Sequence, residues 1–110
     1  MDDKWSDDAP SKVYSCNNCL NPVAFSTDLL SKSFMAKSGR AAMFGSAMNV
    51  TVGEKEDRKL MTGHFTVGDI YCAKCGQVLG WKYFRAYEPR QVYKEGKYIL
   101  EFAKLVKAAA

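Results

Sequence analysis

The stretch CAKCGQVLGWKY, residues 72–83, sets two cysteines two residues apart, ahead of a glycine and a strand-like run through a tryptophan. A lone CxxC fits half of a metal site, a redox pair or a disulfide corner. The choice turns on a second hook far upstream, CNNC at residues 16–19. Between Cys19 and Cys72 lie 52 residues, and the chain has no other cysteine. Zn²⁺ takes four thiolates as a tetrahedron, and a CxxC knuckle presents two sulfurs from one tight turn. Two knuckles complete the shell, so the spacing predicts one structural Zn²⁺ per chain held by Cys16, Cys19, Cys72 and Cys75. Asn17 and Asn18 suit the tight turn of the first hook. Gly76 stands where the second needs a positive φ or close backbone approach to the sulfurs.

The competing chemistries fit less well. A thioredoxin-type pair needs its CxxC at the start of a helix, where the dipole lowers a thiol pKa, whereas both hooks here lie between strand-like segments. Four thiolates would also suit an iron–sulfur cluster. A filled tetrahedron leaves no open position for zinc catalysis, and no cysteine remains as a nucleophile.

A chain of 110 residues fits one domain with a modest core. No apolar run approaches the roughly 20 residues needed to span a bilayer. The acidic start, MDDKWSDDAP, is neither a signal peptide nor a basic transit peptide. These features predict a nuclear and cytoplasmic protein with no membrane partner, where thiols stay reduced and metal is favoured over disulfide. Asp2, Asp3, Asp7 and Asp8 are four of the twelve acidic residues, which leaves 15 Lys and Arg against 8 Asp and Glu from Ser11 onward, a formal +7. Four thiolates and one Zn²⁺ would lower this to +5. Such a charge aids solubility and tolerates acidic partners without demanding nucleic acid.

Residues 1–11 read as a disordered acidic tail carrying an isolated Trp5, followed by a zinc-binding domain over 12–107. The domain is expected to be mainly β. Strands are predicted at Lys12–Ser15, Arg40–Phe44, Ala47–Val52, Lys59–Met61, Phe65–Tyr71 and Gln77–Tyr87, the last broken by Gly80 and ended by Pro89. Gly53–Asp57 reads as a turn, and Gly63 and Gly68 as bends or bulges. Phe25–Ser38 shows no period. The closing segment YILEFAKLVK fits a strand up to about Phe102 better than a helix, since a turn and no N-cap precedes it.

Other chemistry is thin. His64 is the sole histidine and lacks a nucleophile motif beside it, and GEKEDRK is no phosphate-binding loop. By strand parity Trp81, Tyr83 and Tyr87 share a face, as do Phe65 and Tyr71. Core packing is the plain reading of these rings. The sharper one is an aromatic-walled pocket for a small cation or a flat ring. Lys82 is expected to be solvated on the opposite face. Arg85 either snorkels or is turned outward by a bulge. Basic residues among aromatics could also bind single-stranded nucleic acid, a reading that ranks below the others.

The chain resembles the Yippee-like family from about Lys12 to Lys107, through VYSCNNC, SKSF (31–34), GRA (39–41), NV (49–50), EDR (56–58), TG (62–63), DIYCAKC, LGWKY and YKEGKYILE (93–101). The resemblance implies two antiparallel sheets pinned by a four-cysteine zinc site, a β-tent similar to the drug-binding domain of cereblon and to methionine sulfoxide reductase B. It carries the zinc ligands over to Cys16, Cys19, Cys72 and Cys75. By similarity to cereblon's aromatic cage, Trp81, Tyr83 and Phe65 would line a ligand pocket closed by the loop after Phe44. It further implies a non-catalytic adaptor for nuclear or cell-division complexes, a ubiquitin-ligase or other multi-subunit assembly among them. The alternatives are a methionine sulfoxide reductase-like or other thiol redox enzyme, or a nucleic-acid-binding module. The sequence departs from the family pattern where Thr62-Gly63-His64-Phe65 replaces Thr-Gly-Leu-His, where Ala42-Met43 replaces Tyr-Leu, and where Gly68 replaces alanine. These changes bear on pocket shape.

Overall fold

The computed structural model describes residues 12–109; the acidic tail and Trp5 lie outside them. Ten strands follow in chain order: β1 (Lys12–Cys16), β2 (Pro22–Phe25), β3 (Leu29–Ala36), β4 (Gly39–Phe44), β5 (Val50–Val52), β6 (Glu56–Leu60), β7 (Gly63–Cys72), β8 (Val78–Ala86), β9 (Tyr98–Glu101) and β10 (Leu105–Ala109). Short 3-10 turns occupy Ser26–Asp28, Pro89–Lys94 and Phe102–Lys104. All pairings are antiparallel. A small sheet runs β10-β1-β2 and a large one β3-β4-β9-β8-β7-β5, with β6 also paired to β7.

The large sheet is covered on both faces, which explains its continuous apolar runs. One face packs Ala42, Phe44, Ile70, Cys72, Leu79 and Leu100 against Tyr14, Cys16, Val23 and Ala24 of the small sheet. The other gathers Ala41, Met43, Phe65, Val67, Tyr83, Ala86 and Ile99, with Phe34, Leu60 and Trp81 packed at its margin. Neighbours along one strand therefore serve opposite cores, as Met43 and Phe44 do on β4.

Register decides which ring faces where. Against β7, the pairing of β8 skips Phe84 and Leu79, so β8 carries two bulges. The first keeps Tyr83 and Ala86 on the same buried face and turns Arg85 outward, as one of the two sequence readings allowed. It also moves Tyr87 away from Trp81. Tyr87 instead stacks on His64, with ring centroids 4.6 Å apart, and its hydroxyl meets Thr66 Oγ1 at 2.9 Å. Lys82 is not freely solvated: its Nζ lies 3.2 Å from the Tyr98 hydroxyl and 5.1 Å from the Phe84 ring centroid.

Other sequence expectations are corrected by pairing. Phe25–Ser38, without a legible period, runs from the end of β2 through the Ser26–Asp28 turn into β3, an edge strand whose Lys32 and Ser33 are exposed. Ala47–Val52 is strand only from Val50, because Asn49 takes φ 56° and breaks the extended run. Glu56 and Asp57, read as turn, begin β6. The closing segment is strand to Glu101, then crosses through Phe102–Lys104 to become β10 in the other sheet. Gly63 closes the β6–β7 hairpin at φ +147°. Gly68 marks no bulge, but a Cβ there would stand 2.9 Å from Gly53 O, so the Gly53 backbone and β7 come closer than an alanine allows.

Gly80 does not break β8. It is buried in mid-strand, and a Cβ on it would lie 1.8 Å from the Ile99 carbonyl oxygen. Gly80→Ala must therefore push β9 away from β8, where Gly80 pairs with Leu100. We expect a loss of about 3 kcal/mol or more, the upper end for overpacking. Gly45→Ala, whose Cβ would meet nothing closer than 3.7 Å, should stay within about 0.5 kcal/mol, as surface changes do. Urea melts of the two variants check this, and equal midpoints would refute the close β8–β9 approach.

Candidate metal centre

The first hook joins β1 to β2 in the small sheet, and the second joins β7 to β8 in the large one. Folding brings them together. All four Sγ atoms of Cys16, Cys19, Cys72 and Cys75 lie within 4.8 Å of one another, and none is disulfide-bonded. Two close approaches run between hooks, Cys16 to Cys75 at 3.6 Å and Cys19 to Cys72 at 3.5 Å. A tetrahedron with Zn–S bonds near 2.3 Å has S···S edges of about 3.8 Å. The donor set and its spacing fit one zinc ion.

The two hooks are built alike. Leu20 N donates to Cys16 O and Gly76 N to Cys72 O, both at 2.8 Å. Cys16 N donates to Asn21 O and Cys72 N to Gln77 O, also at 2.8 Å. The residue after each second cysteine takes a left-handed conformation, φ 64° at Leu20 and 83° at Gly76. Of the two reasons the sequence offered for Gly76, conformation is the operative one, since a Cβ there would meet nothing within 4 Å. Leu20 accepts the same conformation with a strained side chain that points into solvent, 66% exposed.

Asn21 and Gln77 extend the symmetry in a way the sequence reading missed. Each sits two residues past the last cysteine of its own hook and reaches the first cysteine of the other. Asn21 Nδ2 donates to Cys72 Sγ at 3.3 Å, and Gln77 Nε2 to Cys16 Sγ at 3.5 Å and to Asn17 Oδ1 at 2.9 Å. The shared offset of two amides was the available signal.

These donors act on the sulfurs. Burial alone would raise the Cys72 pKa, but the N–H groups of Cys75 and Lys74 and the Asn21 amide outweigh it and bring the thiol down to about 6. Cys75 is also lowered, chiefly by the Asn18 side chain. Cys19 is pushed up to about 11, first by burial and then by its neighbouring sulfurs. Four negative sulfurs this close repel one another, and a divalent cation is what lets all four ionise together.

Phe65, Trp81 and Tyr83 come together on the far face of the large sheet. The Phe65 and Tyr83 rings are 4.8 Å apart, and Trp81 meets Tyr83 edge-on at 6.4 Å. Phe44 is not with them. It packs on Tyr14 at 5.3 Å in the core between the sheets. The loop after Phe44 is tied to the small-sheet side by Gly45 N to Asp28 O and Met48 N to Val23 O, both 2.8 Å. Cavities of about 230 and 270 Å³ lie elsewhere, beside Tyr14 and Phe102 and beside Gly53 and Tyr71.

Ligation and folding are coupled when a metal joins two sheets. Cys72→Ser should therefore lose zinc and unfold the domain, seen as loss of near-ultraviolet circular dichroism. An unchanged melting curve would refute a structural metal. Asn21→Leu and Gln77→Leu should keep the fold and weaken zinc roughly 10- to 100-fold, the usual effect of losing a ligand's hydrogen-bond partner. Competition with a chromophoric chelator measures this. Acid should release the metal, because protons compete for the thiolates: metal-linked stability stands at neutral pH and is lost as pH falls.

A family profile described as "Yippee zinc-binding/DNA-binding /Mis18, centromere assembly" matches residues 12–109. A yippee-like protein of Arabidopsis thaliana is 56% identical over 96 residues, covering 87% of this chain and 91% of its own length. A second from the same plant is 52% identical over 95 residues, with coverages of 86% and 90%. Yippee-like 3 of Oryzias latipes is 48% identical over 100 residues, with coverages of 91% and 84%. In three dimensions the chain is similar to the crystal structure of the Mis18 "Yippee-like" domain, with a TM-score of 0.71 over 91% of this chain and 97% of that one. At 18% identity the likeness is one of fold. Two sheets joined at two CxxC hooks, matched from first strand to last by relatives half identical in sequence, make this chain a member of the Yippee-Mis18 family, a zinc-binding one whose four cysteines here could hold one zinc ion.

Proposed function

We propose that the chain is a non-catalytic, zinc-stabilised β domain that acts as an adaptor in multi-subunit protein complexes, nuclear or related to cell division. The observation that carries this is the gathering of all four cysteines into one cluster. Cys16, Cys19, Cys72 and Cys75 are its metal ligands, and a four-sulfur shell has no open position for substrate. Reduction of methionine sulfoxide needs a reactive cysteine outside that shell, and the chain has none. The family description, with its centromere assembly, supports work in nuclear complexes. The Phe65–Trp81–Tyr83 face is the ligand-binding side of the domain, because its rings converge and the Trp81 indole Nε1 is buried without a hydrogen-bond partner among the described residues.

The zinc-loaded protein should show no turnover of methionine sulfoxide with a dithiol reductant; turnover would overturn the non-catalytic reading. In a native cell extract the chain should elute far above its own 12.3 kDa, and Cys72→Ser should lose that elution. A wild-type chain eluting as a free monomer would remove the adaptor role. In a Trp5→Phe background, benzamide or another flat ring reaching the ligand face should change Trp81 emission without displacing zinc.

A further inference from the structure

Lys94 is the one charged residue buried in the core among the described residues, at 2% exposure. It ends the Pro89–Lys94 turn and drives its ammonium into the core of the large sheet's far face. Its Nζ stands 5.1 Å from the ring centroid of Phe65, 5.3 Å from that of Phe34, 5.4 Å from Tyr83 and 5.8 Å from Tyr93. It donates one hydrogen bond, to Thr62 Oγ1 at 2.8 Å. No carboxylate among the described residues lies within 4.0 Å of it; the ion pairs there belong to Arg58.

That environment is unusual for a lysine. A buried ammonium is ordinarily paired with a carboxylate, because isolated burial of charge costs several kcal/mol. Here ring faces and one hydroxyl replace the counterion, and burial draws the pKa down. Two of the three N–H donors have no hydrogen-bond partner among the described residues. Several aromatic faces around an ammonium, with one polar contact and no counter-charge, are the chemistry that recognises alkylammonium ions.

The margin of this cage holds two further unpaired groups. The Trp81 indole Nε1 is buried beside the Tyr83 hydroxyl and makes no hydrogen bond of good geometry among the described residues. Gln91 Oε1 is likewise buried and unpaired. In a 3-10 turn residues three apart share a face, so Gln91 and Lys94 point inward together. The turn is fastened to β8 mainly downstream of Lys94, by Gly96 N to Tyr83 O at 2.8 Å, Tyr83 N to Lys97 O at 3.0 Å and Ala86 N to Glu95 Oε2 at 3.0 Å. Val92 and Tyr93 on it are exposed.

We propose that the rings of Phe34, Phe65, Tyr83 and Tyr93 form a recognition site for alkylammonium ions, occupied in the resting fold by the chain's own Lys94, which an incoming cation displaces as the Pro89–Lys94 turn lifts. The proposal rests on the ligand-face reading above and narrows that ligand to a cation. The exchange is close to balanced, since Lys94 regains the water it gave up while the newcomer loses its own. A methylated ammonium has the advantage, being less strongly hydrated than a primary one while making the same ring contacts. Phe65 matters to this selectivity, because its apolar ring lies nearest the charge.

The test uses zinc-loaded protein with Trp5→Phe, so that Trp81 is the sole indole, and titrates choline against its uncharged carbon isostere 3,3-dimethylbutan-1-ol. Removing the internal competitor in Lys94→Ala should tighten choline about tenfold or more over wild type, as relief of a competing state requires. Choline should also bind about tenfold more tightly than the isostere, and Lys94→Ala/Phe65→Leu should lose that preference. A peptide carrying trimethyllysine, set beside free choline, distinguishes a partner's side chain from a free amine as the source. Equal binding of choline and isostere would overturn the cation site and leave the ligand face standing. A folded Lys94→Ala with no saturable response to either compound, up to about 100 mM, would overturn the proposal outright. Should Lys94→Ala fail to retain zinc, the wild-type Trp81 indole N–H resonance decides: choline should shift it saturably where the isostere does not, and no shift refutes the site.

Discussion

Two hooks 52 residues apart must meet at one point, and most of the architecture follows from that closure. The first hook belongs to the small sheet and the second to the large one. Bringing their sulfurs within 4.8 Å therefore fixes how the sheets lean together. Closing so long a loop costs chain entropy, and a chain of this size has a modest core with which to offset it. A metal joined to both hooks supplies the difference. The crossed amides of Asn21 and Gln77 extend the joint beyond the sulfurs, since each hook hydrogen-bonds the other's first cysteine.

Closure at one end leaves the far face of the large sheet uncovered by the small sheet. The chain covers it with its own Pro89–Lys94 turn, which returns to β8 through Gly96 and Lys97. The β7–β8 hairpin thus links two different environments. Its tip carries Cys72 and Cys75 toward the metal, while its open end carries Phe65 and Tyr83 under the turn. The metal end is polar, hydrogen-bonded and narrowly specified. The aromatic end is held by packing, and its one buried charge has no partner of opposite sign among the described residues.

The parts legible in the sequence were those governed by local chemistry. CxxC spacing gave the cluster of four cysteines, Gly76 gave a left-handed turn, and alternation gave most of the strands. What escaped was set by register and by pairing across the chain. Parity placed Tyr87 beside Trp81, but a single bulge at Phe84 carries it to the opposite face. Gly80 looked like a break because glycine is rare in strand interiors; its role is to let β9 approach, which depends on a residue 19 positions away. β3 has no period because an edge strand with polar flanks need not show one. The loop after Phe44 was expected by analogy to close the Trp81 pocket, yet β4 serves two cores and Phe44 falls in the other.

Lys94 was illegible for a related reason. Lysine is nearly always solvated, so a lysine in a short turn beside Glu95 carries no signal of burial. The aromatic residues that receive it come from three other parts of the chain besides Tyr93 beside it: β3, β7 and β8. A cage assembled from separate strands appears only when the register is known, and its contents only when the covering turn is placed. Phe65 then acquires a physical meaning. A histidine buried at that position beside Lys94 would be driven towards its neutral form by burial and by the like charge, whereas a phenyl ring offers the ammonium a negative face at every pH. The change at residue 65 and the buried lysine at 94 are therefore compatible in a way that neither position discloses alone.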